Sequence, residues 1–185
     1  MSEDEADWIC SEADHLDNGL GIVVCLPGGR CWFAHASLPR DAFALLAPTQ
    51  AFIFAAEAFT AVVASMAFAN LLQGPYLLWE VNEPAKSALI KGHTGSEILN
   101  RLIGGFWEAA ALTSASPWLA RVPSKDNVAD AVSRRDFATM EALGATESPL
   151  PTLWWPALRR FLSQGVRDKA CDERLLRDLC AWRSS

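Results

Sequence analysis

The sequence predicts a mixed α/β fold: one five-stranded mixed sheet flanked by helices. Three observations carry that expectation. Short apolar, β-branched runs stand near the N-terminus, two of them about a Pro-Gly-Gly turn. Beyond them the patterning alternates helix, strand, helix, strand, helix. The length, 185 residues with 51% apolar, suits one globular domain rather than a disordered or disulfide-framework chain. A hairpin meander followed by strand–helix–strand crossovers closes most simply into one sheet with helices on its faces.

Residues 1–7 form an acidic start. Trp8–Ala13 is the first strand, Gly19–Leu26 the second, and Cys31–Ala36 the third, with Pro27-Gly28-Gly29 as the hairpin turn. Ser37–Pro48 contains two prolines and reads as a connector. Thr49–Leu72 predicts a long helix, apolar nearly all round, whose Ala51–Ala69 core holds Glu57, Thr60 and Ser65 as its polar residues. A segment of that kind is buried in protein or spans a membrane. Glu57 near its middle, the Ala/Phe composition and the lack of a flanking basic cluster favour protein. Gly74-Pro75 ends this helix, and Tyr76–Val81 is the fourth strand. Ala85–Lys91 is a short helix with Pro84 in its first turn and Gly92 past its end. Ser96–Ala111 is a helix striped with Ile98, Leu99, Leu102, Ile103, Phe106 and Trp107. Trp118–Val122 is the fifth strand, and Asn127–Ser133 a last short helix. The remainder, 146–185, reads as a helical tail with a Trp154-Trp155-Pro156 turn and an amphipathic helix carrying Leu175, Leu176 and Leu179.

The net charge is −6, and the acidity is concentrated in Glu3, Asp4, Glu5, Asp7, Glu12, Asp14 and Asp17, while 151–185 is basic. That balance argues against a nucleic-acid binder held by bulk charge and leaves room for a local basic patch. Five cysteines without a CxxC pair, and an acidic rather than signal-like start, predict reduced thiols and an intracellular location, cytoplasm or nucleus. Three dispersed histidines offer no paired zinc-ligand spacing.

The most specific stretches are Arg121–Arg134 (RVPSKDNVADAVSR) and Val81–Gly92 (VNEPAKSALIKG). With Leu99-Asn100-Arg101 between them, and with Leu38-Pro39, Gln50 and Glu57 upstream, they match in order and spacing a known pattern. Over residues 8–145 the chain resembles the ribonuclease H-like domain that follows reverse transcriptase in retrotransposon polyproteins. The resemblance implies strand order 3-2-1-4-5 with the first three strands antiparallel. It implies phosphodiester hydrolysis in the RNA strand of an RNA–DNA hybrid, through four carboxylates holding two Mg²⁺ (or Mn²⁺) ions. The implied catalytic and metal residues are Glu12, Glu57 and Asp130.

Two positions depart from the family pattern. Glu12 stands where a shorter Asp is expected, and Val81 stands where the fourth-strand acid is expected. Valine offers no ligand; Asp14, Glu80 and Glu83 are the available substitutes. The resemblance therefore implies a copy with impaired catalysis, a Mg-dependent endonuclease where active. Asn82, Lys86, Lys91, Arg121 and Arg134 are the implied nucleic-acid contacts, and a reverse transcriptase domain of the same polyprotein is the implied partner. The alternatives left open are a non-catalytic nucleic-acid-binding or interaction module of the same fold, and a single-span membrane protein through 51–69.

Overall fold

The structure is a computed structural model that describes residues 7–14, 19–46, 52–150 and 154–163, together with positions 174, 176, 177 and 180. Its strands are β1 (Asp7–Asp14), β2 (Gly19–Leu26), β3 (Arg30–Ser37), β4 (Gly74–Glu80), β5 (Ala115–Arg121) and β6 (Thr146–Glu147). They form one mixed sheet in the order β5-β4-β1-β2-β3-β6. β1, β2 and β3 run antiparallel in succession, whereas β4 is parallel to β1 and β5 parallel to β4. The expected five strands are thus corrected to six. β6 pairs with two residues of β3, Trp32 and Phe33, and Ser148 N donates to Phe33 O at 2.7 Å. Two residues are too few to leave an alternating pattern in a sequence.

The β2–β3 turn forms where expected because Gly28 and Gly29 both adopt positive φ, 88° and 78°, the backbone that a two-strand turn with matched twist needs. The register sets Cys25 opposite Cys31 with Cα atoms 4.2 Å apart, and the two form a disulfide. The expectation of reduced thiols is corrected for this pair. Residues six apart along the sequence become cross-strand neighbours once the turn closes, a proximity that cysteine spacing alone does not display.

The helices divide between the two faces. On one face lie α1 (Arg40–Leu46), α2 (Phe52–Ala67), α3 (Glu83–Lys91), α4 (Glu97–Thr113) and α7 (Trp154–Ser163). On the other lie α5 (Val128–Ser133) and α6 (Ala138–Ala142). Every α2 residue from Ala55 to Ala67 is buried, so the all-round apolar pattern marks a central helix. Among the described residues no helix is long and apolar enough to cross a membrane. Thr60 Oγ1 donates to Ala56 O within the helix, and Ser65 Oγ accepts from Tyr76 on β4 at 3.2 Å.

Three further expectations change. The connector over Ser37–Pro48 contains α1, opened just after Pro39 and carrying Asp41 in its first turn. The long helix is shorter than Thr49–Leu72 within the described residues, since Phe68–Leu71 are turns. Trp154-Trp155-Pro156 opens α7 rather than forming a turn; proline in a first turn sacrifices no helix hydrogen bond. α7 is built into the main core through Trp154, Trp155, Leu158, Phe161 and Leu162, which Leu176 and Cys180 join. Asp41 receives Trp155 Nε1 at 2.8 Å and Arg159 at 2.8 Å, and Arg101 donates to Phe161 O at 2.7 Å.

Candidate nucleic-acid and metal site

α5 reaches the sheet because β2 begins Gly-Leu-Gly. A Cβ on Gly19 would overlap the Ser133 carbonyl, and one on Gly21 would overlap the Ala129 carbonyl and the Ser133 amide. Helix backbone therefore rests directly on strand backbone. At the N-terminus of α5 the capping residue is Asn127, buried to 4% exposure. Its Oδ1 accepts from Ala129 N at 3.1 Å, and its Nδ2 donates to Ser11 O on β1 at 3.0 Å. Asp130, in the first turn of α5, is in this way held near the C-terminal half of β1, where Glu12 pairs with Gly21 across the ladder. The side chains of Glu12 and Asp14 lie outside the described residues. Ser11 is fully buried, and its Oγ has no hydrogen-bond partner among the described residues.

β4 carries the next candidates. Tyr76, Leu78 and Glu80 are buried and alternate onto the α2 face, while Leu77 and Trp79 take the other. Glu80 is the last residue of the strand; Val81 lies past it and is half-buried. Glu80 Oε1 accepts from Asn82 N at 3.0 Å. The other acid buried on this side is Glu57 of α2, at 2% exposure. Neither carboxylate lacks a partner, as burial of a charged group demands. Of the substitutes for Val81, Glu80 thus shares the α2 face of the sheet with Glu57. Glu83 is exposed on α3 and pairs with Lys86 at 2.9 Å.

The expected acids are therefore distributed over both faces: Glu57 and Glu80 toward α2, Asp130 on α5. Asp130 already has a cation, Arg134 one turn along at 3.0 Å. Among the described residues no three His, Cys, Asp or Glu side chains stand close enough to hold a metal ion. Val81 brings no oxygen ligand to the fourth-strand position and Asp130 is engaged by Arg134, whereas a pair of divalent ions needs converging oxygen ligands.

Of the expected nucleic-acid contacts, Asn82 and Arg121 lie at the adjoining ends of β4 and β5, and Arg134 lies on the α5 face. Asn82 caps α3, its Oδ1 accepting from Ala85 N at 3.0 Å. Lys86 is committed to Glu83, and Lys91 is exposed in the last turn of α3. Arg121 is exposed at the end of β5, opposite Glu80 in the ladder. Arg134 lies on the far face, at the end of α5. Ser11 is a site residue that the sequence did not single out, and Asn127 was legible as a motif residue and helix start but not as a buried tie to β1. The one available signal was the position of Asn127, directly before a small-residue helix, where an asparagine caps.

No family model, no curated protein and no solved structure matches this chain.

Proposed function

We propose that the chain is a ribonuclease H-like domain of retroelement type that binds or acts on RNA–DNA hybrid, with impaired catalysis. The observation that carries this reading is the Asn127–Ser11 hydrogen bond, which docks the N-terminus of α5 on β1 and brings Asp130 toward the strand that holds Glu12. The sheet order contains the run 3-2-1-4-5 that the resemblance implies, and its first three strands are antiparallel, which supports the same reading. A reverse transcriptase domain of the same polyprotein is the partner this reading implies. Mg²⁺ or Mn²⁺, if bound, would supply activation of water; Glu12, Glu57 and Asp130 are the residues this reading assigns to it.

The Arg134–Asp130 ion pair favours a second reading, a non-catalytic hybrid-binding module, because it gives Asp130 a structural partner. One experiment separates the two. Binding of a labelled RNA–DNA hybrid is measured by anisotropy, with cleavage and melting temperature followed against Mg²⁺ and Mn²⁺. The parent, Val81→Asp, and Glu12→Asp with Val81→Asp are compared. Hybrid binding by all three is expected, with Mg²⁺-dependent stabilisation growing from parent to double variant, because an ion that binds only the folded chain raises its stability. Equal Mg²⁺ response in all three assigns the non-catalytic module. Absence of hybrid binding removes the nucleic-acid reading altogether.

A further inference from the structure

A cavity of about 260 Å³ opens at the C-terminal end of α5, lined by Gly19, His35, Ser133, Arg134 and Arg135. We propose that it binds a phosphate group. The inference requires neither Glu57 nor a metal ion; with a nucleic-acid backbone as the source of the phosphate it extends the hybrid-binding reading, and with free phosphate it is independent of it.

The residues converge for definite reasons. Gly19 lets the end of α5 form the cavity wall, because the Ser133 carbonyl occupies the space a side chain would need. Arg135 takes a left-handed backbone, φ 63°, which turns the chain out of α5. Two successive arginines on a continuing helix would point about 100° apart; the break lets both line one cavity. Their situations differ. Arg134 is paired with Asp130. Arg135 is exposed and has no ion pair among the described residues; its Nη2 makes a long hydrogen bond, 3.4 Å, to Ser37 Oγ. His35 on β3 is half-buried, edge-on to the Phe137 ring at 6.3 Å. Burial first, and the Arg135 guanidinium second, push its imidazole below the usual histidine range; the Ser133 backbone and the Glu147 carboxylate pull the other way.

The cavity thus joins a guanidinium with no ion pair among the described residues to an imidazole whose protonation that guanidinium opposes. An oxyanion seated between them would pair with Arg135 and remove the opposition to a proton on His35. A phosphate group, with several acceptor oxygens, can take the guanidinium fork and the imidazole N–H together. The same chemistry is carried by free phosphate and by a nucleic-acid backbone.

The test uses the full chain. The His35 ring is followed by NMR through a pH titration, with inorganic phosphate added at constant ionic strength and exposed His93 as internal control. The His35 midpoint is expected to rise with phosphate. In Arg135→Gln, phosphate affinity by calorimetry should fall about tenfold or more, the weight of one hydrogen bond to a charged group. Arg135→Lys, which keeps the charge and loses the fork, should fall between. An unmodified single-stranded oligonucleotide that displaces phosphate assigns the site to a backbone phosphate; failure to displace assigns it to free phosphate. A His35 midpoint indifferent to phosphate overturns the proposal, as does equal affinity in parent, Lys and Gln variants.

Discussion

On the α2 face the sheet is met by large side chains; on the α5 face it is met by backbone. Phe59, Phe106, Leu99 and Trp154 belong to the first layer, a core that runs from α2 through α4 to α7. The second layer is a smaller cluster in which Ala129 and Val132 cover Val23, Cys25 and Phe33. Its closeness comes from what Gly19 and Gly21 lack. The contrast bears on function. A thick apolar layer tolerates repacking and fixes stability, whereas a backbone-on-backbone contact fixes position and tolerates nothing larger than hydrogen.

The comparison can be broken most severely on the thick side. Phe59→Ala in α2 removes a fully buried ring and is expected to cost about 3–5 kcal/mol, read by urea unfolding. Gly21→Ala should cost about 1–3 kcal/mol by forcing α5 off the sheet, and here location matters more than size. Amide exchange should accelerate in Val128–Ser133 while Ala55–Ala67 stays protected; uniform acceleration would show that the two faces are one cooperative layer. Asn127→Ala takes away the cap and leaves the Ser11 carbonyl without its donor, at about 1–2 kcal/mol by thermal unfolding. Asn127→Asp keeps the capping acceptor and loses the donor, so it should lie between parent and Ala.

The faces should also respond to opposite ends of the pH scale. Burial pushes Tyr76 up to about 12 from 10.0 and Cys180 up to about 11 from 9.0, both on the α2 side. The unfolded chain releases those protons earlier than the folded chain, so stability is full below pH 9 and falls as pH rises toward 12. Tyr76→Phe should flatten the part of that decline between pH 10 and 12. On the α5 side, burial and Arg135 push His35 down from 6.5. The unfolded chain takes up that proton first, so stability present above pH 6.5 is lost as pH falls below it. His35→Gln should weaken the acid limb and leave the alkaline one unchanged. These are the smallest effects, and melting temperature against pH in a phosphate-free buffer reads them both.

Most of the fold was legible because its elements announce themselves in side-chain periodicity or in turn chemistry. The apolar run of α2, the stripe of α4 and the Pro27-Gly28-Gly29 turn are of that kind. The misses share another cause. β6 is two residues long, α1 is hidden between prolines, and the Cys25–Cys31 bond depends on cross-strand register. The candidate site was legible as residue types but not as geometry. Glu57 was conspicuous as a charge in an apolar helix. That Glu80 shares the α2 face depends on the alternation along β4, in which Tyr76, Leu78 and Glu80 are the buried set. The motif residues Asn100 and Arg101 prove to be fastenings: Asn100 Nδ2 donates to Thr94 O at 3.0 Å, and Arg101 ties α4 to α7. The cavity at His35 and Arg135 joins a strand to a residue 100 positions later, a distance across which no periodicity operates.

The bond between Asn127 and Ser11 spans 116 positions, and that separation sets a timetable. At roughly 5–20 residues per second of synthesis, the donor for the Ser11 carbonyl emerges about 6–23 s after the strand it completes. The β2–β3 hairpin, closed by a local turn, can form within microseconds of leaving the ribosome. β1, by contrast, has one parallel neighbour that arrives 69 positions later and a helix cap that arrives later still. A newborn chain therefore carries a finished hairpin beside an unfinished edge until β4 and then α5 emerge, and that interval is when a chaperone, or a premature partner, would meet it.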